Sequence, residues 1–404
     1  METAAVSDEN KVGVPSRSLR LGIFVTHPIQ YFAPLWRALA ATPGLSPKVH
    51  FFSDHSLRGG VDPGFGVTVA WDVPLLEGYP HEFVSRDAGL AVPRSVRLPD
   101  ARQRVTLDHF DAVMIHGYVY GFERDVVRAA RANGVSTIIR GEFTDEVPYG
   151  GRGPMKRLLR TLYLRWFYGH VDAFCYVGEA ARLHLVRAGV PASRMFFAPY
   201  SVDSSLFELQ RQTFSRAETR AGLRISDDHL VLILSGKLIP RKAPLLLTGA
   251  LRHLRPLDKV VLLVVGDGEL RPQIEAEGRA LLGDRCRLLG FVNQSEIGRY
   301  YAAADVLVLP SRYETWGLVV NEAMQFGVPA VVSCKVGCHR DLIVEGRTGM
   351  VFADGDERTL AQCLERFLRD PALARRLGDA ARLHVAAYST EASAAGIKRA
   401  LGLM

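Results

Sequence analysis

Short, wholly apolar runs in the second half of the chain place the strongest constraint on its fold. They read Val-Leu-Ile-Leu at 231–234, Val-Val-Leu-Leu-Val-Val at 260–265 and Val-Leu-Val-Leu at 306–309. Continuous runs of this length, rich in β-branched residues, are typical of strands buried on both faces of a parallel sheet. Segments with helical patterning separate them, as the crossovers of a parallel sheet require. The pattern predicts an α/β layer with its loops gathered at one sheet edge.

The length of the chain indicates two such domains. A single core seldom supports 404 residues, and a hydrophobic content of 48% suits sheets covered by helices on both faces. Residues 1–18 are polar and mixed in charge, which predicts a flexible tail rather than a signal peptide. A polar, arginine-rich stretch over 203–228 marks the boundary. We therefore expect an N-terminal domain over 19–205 and a C-terminal domain over 206–385.

A basic loop follows the first of these runs. The strand ends at Ser235-Gly236, Lys237, Arg241 and Lys242 follow, and a helix is expected from Pro244. Cations at the carboxyl end of a parallel strand lie where α/β sheets bind phosphate. They could stabilise a departing diphosphate. An ordinary exposed basic loop is the competing interpretation.

Two carboxylates flank the predicted start of a later helix, over 317–326. Glu314 precedes the helix, and Glu322 lies roughly 8–10 Å further along its axis. The free N–H groups around Trp316, Gly317 and Leu318 would face an anion. A diphosphate bound there would bring a sugar near Glu314 and a ribose near Glu322. The alternative is a pair of solvated glutamates on a surface helix.

Seven sequence blocks in the second half share an order and a spacing. The blocks are Gly236-Lys237-Leu238 with Arg241-Lys242, Val265-Gly-Asp-Gly268, Gly290-Phe-Val292, Tyr301-Ala-Ala-Ala-Asp305, Leu309-Pro-Ser-Arg-Tyr313, Glu314 with Glu322-Ala-Met, and Gly327-Val-Pro329. Together they resemble the C-terminal half of a retaining family 4 glycosyltransferase (glycosyl transferases group 1). The resemblance implies the GT-B fold, in which two Rossmann-like domains face a central cleft, and a C-terminal helix over 386–404 that crosses back to the first domain.

The resemblance also implies a role for each of these residues. Lys237 and Lys242 would hold the pyrophosphate, Glu314 the donor sugar and Glu322 the ribose, with the base against Gly290, Phe291 and Val292. Gly236, Arg241 and Gly266 would belong to the same donor site.

The sequence departs from the family pattern at two of these positions. Lys237 stands where many members carry arginine, which keeps the charge and loses a bidentate fork. Asp341 stands where glutamate is common, so we leave it out of the site.

The N-terminal half offers less explicit candidates. The first strand runs into His27-Pro-Ile-Gln-Tyr, where many relatives have a Gly-Gly loop. His27 and Gln30 either face the cleft or belong to a helix cap that packs Tyr31 and Phe32 inside.

Two further strand ends carry polar residues. His116 follows the apolar run 112–115, where family members often carry a histidine near the donor sugar. It is either a catalytic residue or a hydrogen-bonded core histidine. Glu142, after the strand at 135–139, could meet an acceptor hydroxyl or form a cap or ion pair.

We therefore expect a cytoplasmic, retaining transfer of a sugar from a nucleoside-diphosphate sugar to an acceptor hydroxyl. The acceptor is expected in cell-surface polysaccharide or lipid-linked glycan assembly. The alternatives are a small natural product as acceptor, or a non-catalytic GT-B-like membrane-surface or scaffold protein. A dehydrogenase would need Gly-x-Gly-x-x-Gly after the first strand, where the chain has Thr26-His27-Pro28.

No metal or other cofactor is expected. Cys334, Cys338 and His339 have no second ligand pair nearby, and the scattered cysteines indicate reduced thiols.

A basic segment explains part of the net charge of +7. Residues 152–167 contain five basic and no acidic residues, and five apolar residues share one helical face. The apolar residues are Met155, Leu158, Leu159, Leu162 and Trp166. This face either docks into the first domain, which we favour, or lies on an anionic membrane peripherally, a reading that Leu164 supports. Charge alone does not predict nucleic-acid binding, since no known binding module is present.

Overall fold

The computed structural model describes residues 17–85, 92–145 and 153–404. The predicted tail at 1–18 therefore lies almost wholly outside the described residues and stays a prediction. Within the described ranges the protein has two large parallel sheets, one in each half of the chain. This confirms the predicted α/β class.

The N-terminal half is built on a seven-stranded sheet with the order β5-β2-β1-β6-β7-β8-β9, in which every pair is parallel. A small antiparallel hairpin, β3–β4, projects from it. The strands are β1 Leu19–Val25, β2 Leu45–Phe51, β3 Gly60–Val61, β4 Thr68–Val69, β5 His81–Phe83, β6 Ala112–Ile115, β7 Ser136–Gly141, β8 Ala173–Tyr176 and β9 Met195–Phe197.

Helices connect these strands and lead into the second half. They are α1 Ala33–Ala40, α2 His55–Arg58, α3 Ala101–Arg104, α4 Gly121–Asn133, α5 Pro154–Tyr168, α6 Glu179–Arg187, α7 Ser204–Thr213 and α8 Arg216–Gly222.

The C-terminal half is built on a six-stranded, all-parallel sheet with the order β12-β11-β10-β13-β14-β15. Its strands are β10 Leu230–Ser235, β11 Val260–Val265, β12 Cys286–Gly290, β13 Val306–Leu309, β14 Ala330–Ser333 and β15 Gly349–Phe352. Its helices are α9 Leu245–Leu251, α10 Arg271–Leu282, α11 Ile297–Ala303, α12 Leu318–Gln325, α13 His339–Leu342, α14 Glu357–Arg369, α15 Leu373–Val385 and α16 Thr390–Ala400.

The apolar runs of the sequence become the centre of this second sheet. Every residue of β10, β11, β13 and β14 is buried, as strands covered on both faces should be. The carboxyl ends of β11 and β12 meet backbone to backbone, because Gly266 donates its N–H to the carbonyl of Gly290 at 2.7 Å. A Cβ on Gly266 would clash with the carbonyl of Gly236, and its φ of +134° also favours glycine. These glycines let the loops above them converge at one sheet edge.

The last helix returns to the first sheet. Helix α16 packs against α1, β8 and β9. Gly396 lies so close to the carbonyl of Phe197 that a Cβ would clash there, and Ile397 is fully buried. The chain thus ends on the domain in which it begins.

The exposure of helix α5 shows that one prediction was wrong. Its apolar face does not dock into the first domain, since Met155, Leu158, Leu159, Leu162 and Trp166 are 51–65% exposed. The helix is anchored by the following buried residues instead: Leu164, Phe167 and Tyr168. The suggestion that Leu164 contacts lipid was also wrong, because this side chain lies in the core.

The structure gives no candidate for a membrane-spanning helix. Among the described residues, no helix combines the length and the apolar character that crossing a bilayer requires.

Candidate functional site

The basic loop after β10 forms one side of a cluster of charges. A short 3₁₀ turn, Pro240–Lys242, directs Lys242 to the carboxylate of Glu314, and the two side chains form an ion pair. Arg241 lies beside them, with Nη1 3.7 Å from Glu314 Oε2 and 3.0 Å from the carbonyl of Tyr313. Glu314 is held in place because its N–H donates to Lys335 O. The structure thus brings together three of the residues that the sequence proposed for donor binding.

Lys237 faces the first domain. Its Nζ lies 2.7 and 2.9 Å from the two carboxylate oxygens of Asp62, in the β3–β4 hairpin. Burial alone would raise the pKa of Asp62, but Lys237 and the backbone N–H groups of Phe65 and Gly64 together lower it. The Asp62 carboxylate therefore occupies the ammonium group of Lys237, a residue proposed to bind phosphate. Lys237 thus has a defined partner and does not belong to an ordinary exposed basic loop.

The same hairpin covers the segment after β12. The Phe291 ring lies 5.1 Å from that of Phe65 and 5.9 Å from that of Trp71, both edge to face. Asn293 Nδ2 donates to the carbonyl of Ala70 at 2.6 Å. Val292 is half-buried beside Phe291. The proposed base site is thus in contact with side chains from the N-terminal domain.

Glu322 is 1% exposed, so the interpretation as a solvated surface glutamate was wrong. Tyr31 and Tyr301 each donate a hydroxyl to one of its carboxylate oxygens at 2.7 Å, and Gln294 donates an amide at 3.3 Å. Burial raises the pKa of Glu322, and these hydrogen bonds oppose the shift. Tyr31 belongs to the N-terminal domain, so its hydrogen bond to Glu322 joins the two domains.

At the start of α12, the backbone rather than the side chains faces the site. The Trp316 indole is 2% exposed and donates to Asn321 Oδ1 at 2.9 Å. Gly317 has a φ of +103°, and a Cβ there would press on Leu309 and Val336. The observed helix begins at Leu318, close to the predicted start.

A pocket of about 440 Å³ lies between the N-terminal domain and the start of α12. Its lining includes Tyr31, His116, Glu123, Glu142, Tyr200, Thr315 and Leu318. It adjoins Glu322 through Tyr31 and α12, which places it next to the donor residues.

His116 lines this pocket at the end of β6. Its ring stacks on Phe32 at 4.8 Å and meets Trp36 edge to face at 5.5 Å. Neither ring nitrogen has a hydrogen-bond partner within the described residues, which contradicts the interpretation as a hydrogen-bonded core histidine. Burial, and then the charge of Arg140, lower the pKa of His116 well below its usual value. Burial thus favours the neutral imidazole, and both ring nitrogens are buried without a partner among the described residues.

The side chain of Glu142 bridges the two domains. Its carboxyl group is hydrogen-bonded to Thr315, of the C-terminal domain, and to Tyr200. Burial raises its pKa, and these hydrogen bonds and Arg140 lower it. Arg140 lies beneath it, 1% exposed, with its guanidinium 4.8 Å from the centre of the Tyr200 ring.

Three residues of this region were not predicted as site residues from the sequence: Tyr31, Asp62 and Glu123. Tyr31 and Asp62 act through contacts with residues more than 170 positions away, which local patterns cannot show. Glu123 accepts the Tyr120 N–H at 2.8 Å in a capping box at the start of α4. The N-cap residue is a tyrosine, so the Ser/Thr signature of that motif is absent from the sequence.

His27 and Gln30 are absent from the lining of the pocket. The His27 ring packs 4.2 Å from that of His55, and burial lowers its pKa to about 4. Tyr31, from the same segment, reaches the cleft instead.

Within the described residues, no group of three or more His, Cys, Asp or Glu side chains is arranged to hold a metal ion. Asp341, left out of the site, accepts the Glu179 N–H at 2.9 Å and so joins the two domains.

Comparisons with known proteins cover the two halves of the chain unequally. Residues 215–384 match the family model described as Glycosyl transferases group 1. The D-inositol 3-phosphate glycosyltransferase of Streptomyces avermitilis is 34% identical over 230 residues, which are 54% of this chain and 46% of that protein. The alpha-D-kanosaminyltransferase of Streptomyces kanamyceticus is 31% identical over 222 residues, 54% of this chain and 57% of that protein. The chain spans about half the length of the curated relatives it matches.

Solved structures resemble the whole chain. Sucrose-phosphate synthase from Thermosynechococcus elongatus covers 95% of this chain and 98% of its own, with a TM-score of 0.68 and 21% identity. Anabaena Alr3699/HepE, in complex with UDP and glucose, covers 96% of this chain and 100% of its own, with a TM-score of 0.68 and 17% identity. At these identities the likeness establishes the fold, which is GT-B as predicted.

Proposed function

We propose that the protein, whose residues 215–384 match the glycosyl transferases group 1 family model within a chain of GT-B fold, is a retaining glycosyltransferase. It moves a sugar from a nucleoside-diphosphate sugar to an acceptor hydroxyl. The observation that carries the proposal is the convergence of Lys237, Lys242, Glu314 and Glu322 on the carboxyl edge of the second sheet and the start of α12.

The donor would bind across that edge. Lys237 and Lys242 bind the diphosphate, with Arg241 beside them and the N–H groups of Trp316, Gly317 and Leu318 at the phosphate end. Glu322 accepts a ribose hydroxyl in place of the Tyr31 hydroxyl that it accepts in this structure, and the base lies against Phe291 and Val292. Gly236 and Gly266 have no side chain, so the phosphates can approach the backbone at the strand ends.

In the proposed reaction, the bond between the anomeric carbon and the diphosphate oxygen breaks first. Lys237, Lys242 and the α12 N-terminus stabilise the charge that develops on the diphosphate. The acceptor oxygen then bonds to the anomeric carbon on the face that the diphosphate leaves. Because the new bond forms on the face from which the old one breaks, the anomeric configuration is kept. The proton of the acceptor hydroxyl passes to an oxygen of the departing phosphate. No metal ion is needed in this scheme, because the two lysines supply the positive charge.

His116 and Glu142 would position the sugar and the acceptor. A neutral imidazole with two unpartnered nitrogens can donate to or accept from a sugar hydroxyl. Glu142 shares the pocket and lies where an acceptor hydroxyl would enter. We assign the acceptor to polysaccharide or lipid-linked glycan assembly and the protein to the cytoplasmic face of a membrane, an assignment that the exposed apolar face of α5 supports.

Calorimetry tests the donor site directly. UDP, GDP and ADP are titrated into the wild type, Glu322→Ala and Glu322→Gln, with Glu365→Ala on the exposed side of α14 as control. A hydrogen bond to a charged group contributes about 1.5–3 kcal/mol, so one nucleotide should bind the wild type and bind Glu322→Ala about ten- to a hundredfold more weakly. The glutamine variant shows whether any loss reflects misfolding, because it keeps the shape of the side chain.

Two results would contradict the proposal. The first is a folded wild type that binds none of the nucleotides. The second is equal affinity in the wild type and both Glu322 variants. Once a donor is known, the anomeric configuration of the product, measured by NMR, tests retention.

A further inference from the structure

A second concave site lies on the N-terminal domain, between α3, α4 and the end of α5. It encloses about 280 Å³. Val127 and Phe167 form an apolar floor, and both are buried. Four arginines and two aromatic side chains complete the lining: Arg102, Arg124, Arg128, Arg131, Trp166 and His170. We call this the arginine pocket.

The arginine pocket has no counter-charge of its own. Its lining contains no carboxylate, and within the described residues none of its four arginines forms an ion pair. Arg124 donates to the carbonyls of Tyr118 and Val119 at 3.1 and 3.0 Å, and its charge also lowers the pKa of the buried Glu123. Within the described residues this leaves Arg102, Arg128 and Arg131 without an acidic partner. The acidic neighbour on α4, Asp125, is paired with Arg97 at 2.6 Å.

Four like charges around one cleft repel one another and create a strong positive potential. A polyanion relieves that repulsion. The planar fork of a guanidinium group fits phosphate oxygens in particular.

The exposed apolar face of α5 runs into the arginine pocket. Trp166 belongs to both, since it lines the pocket and is 51% exposed. From Met155 to Trp166 the face extends roughly 16 Å along the helix axis. Exposed apolar patches of this kind mark interaction surfaces, and an amphipathic helix with basic neighbours is typical of the membrane interface. A phosphate site and an apolar strip therefore share one side of the molecule.

We propose that this side binds an anionic lipid bilayer, with the lipid phosphate in the arginine pocket and the apolar face of α5 inserted beside it. The inference rests on the membrane assignment of the proposed function and deepens it by charge complementarity, whereas its vesicle test does not depend on glycosyl transfer. A second copy of the chain fits less well, because a symmetric contact would set two uncompensated arginine pockets against each other.

Vesicle flotation with the full chain provides the test. Phosphatidylcholine vesicles with and without phosphatidylglycerol are compared for the wild type and for Arg128→Glu/Arg131→Glu. The matched control is Arg358→Glu/Arg375→Glu, which makes the same charge change on α14 and α15 of the C-terminal domain. Basic side chains near an anionic surface each contribute about a factor of five, so the α4 variant should lose at least about tenfold in affinity for the anionic vesicles. The control should bind like the wild type.

A second pair of measurements isolates the apolar face. Leu158→Ser/Leu162→Ser should also lose vesicle binding although its arginines are intact. Anionic vesicles should shift the tryptophan emission of the wild type to the blue, and Trp166→Phe should abolish that shift. Circular dichroism melting verifies that each variant is folded.

Four outcomes would overturn the proposal. One is a wild type that does not float with anionic vesicles. Another is the same loss of binding in the α4 variant and in its control. The third is a dimer in solution that Leu158→Ser/Leu162→Ser converts to a monomer, which would make the face a protein interface. Calorimetry with glycerol phosphate separates the sources of phosphate: affinity equal to that of vesicles would indicate a soluble ligand and would also refute the proposal.

Discussion

The ion pair between Asp62 and Lys237 must break before Lys237 can bind a donor diphosphate. Asp62 therefore competes with the substrate for the lysine, and Asp62→Asn should strengthen nucleotide binding. Asparagine keeps the oxygen that accepts the N–H groups of Gly64 and Phe65 at 2.8 and 3.0 Å, so the turn should be preserved. What changes is the charge that faces Lys237.

The magnitude follows from the exposure of the pair. The side chains of Asp62 and Lys237 are 31% and 34% exposed, which places the pair at the upper end of the range for partly solvated ion pairs, about 1 kcal/mol. In Asp62→Asn this ion pair no longer has to break, so the Kd for the nucleoside diphosphate should fall about fivefold. The effect should shrink at high salt, since salt screens exposed charges.

Isothermal titration of the nucleoside diphosphate measures the effect, and Asp72→Asn is the control. Asp72 lies next to the same hairpin and accepts from the N–H and hydroxyl of Ser295, across the same interface, without contacting a cation. If both variants gain affinity equally, the cause is an easier opening of the domains. If Asp62→Asn binds with unchanged or weaker affinity, Asp62 does not compete for the phosphate site and the reasoning is refuted.

Two other perturbations test the packing around the cleft. Burial raises the pKa of Glu123 to about 7 from 4.5, so the folded protein binds this proton more tightly than the unfolded chain does. The stability that results is present at acid pH and is lost as the pH rises to 7. The difference in unfolding free energy between Glu123→Gln and the wild type should therefore grow by up to about 3 kcal/mol from about pH 4.5 to about pH 8 in urea titrations, and a constant difference would contradict this. Gly178→Ala would place a Cβ 2.8 Å from Asp341 Oδ2 and closer still to the Trp316 ring. It should cost about 1–3 kcal/mol and widen the cleft, measured by thermal melting and small-angle scattering, whereas a wild-type melting temperature and radius would show that the domains do not meet there.

The sequence by itself determined the second sheet and which charged residues gather at its carboxyl edge. The apolar runs at 231–234, 260–265 and 306–309 specify buried parallel strands, because only strands covered on both faces need such continuous runs. Lys242, Arg241 and Glu314 could be placed together because each follows a strand end, and parallel strands end at one edge. These inferences rest on local patterns, and local patterns are visible in a single chain.

Only the tertiary structure decided which partners those residues have. Tyr31 and Asp62 reach Glu322 and Lys237 from the other domain, and no periodicity relates positions so far apart. The same reason explains the wrong prediction for α5. An amphipathic pattern shows that a helix has an apolar face, but what covers that face depends on elements elsewhere in the chain. Here Leu164, Phe167 and Tyr168 form the buried side, and the face with the clearer pattern is left exposed to solvent.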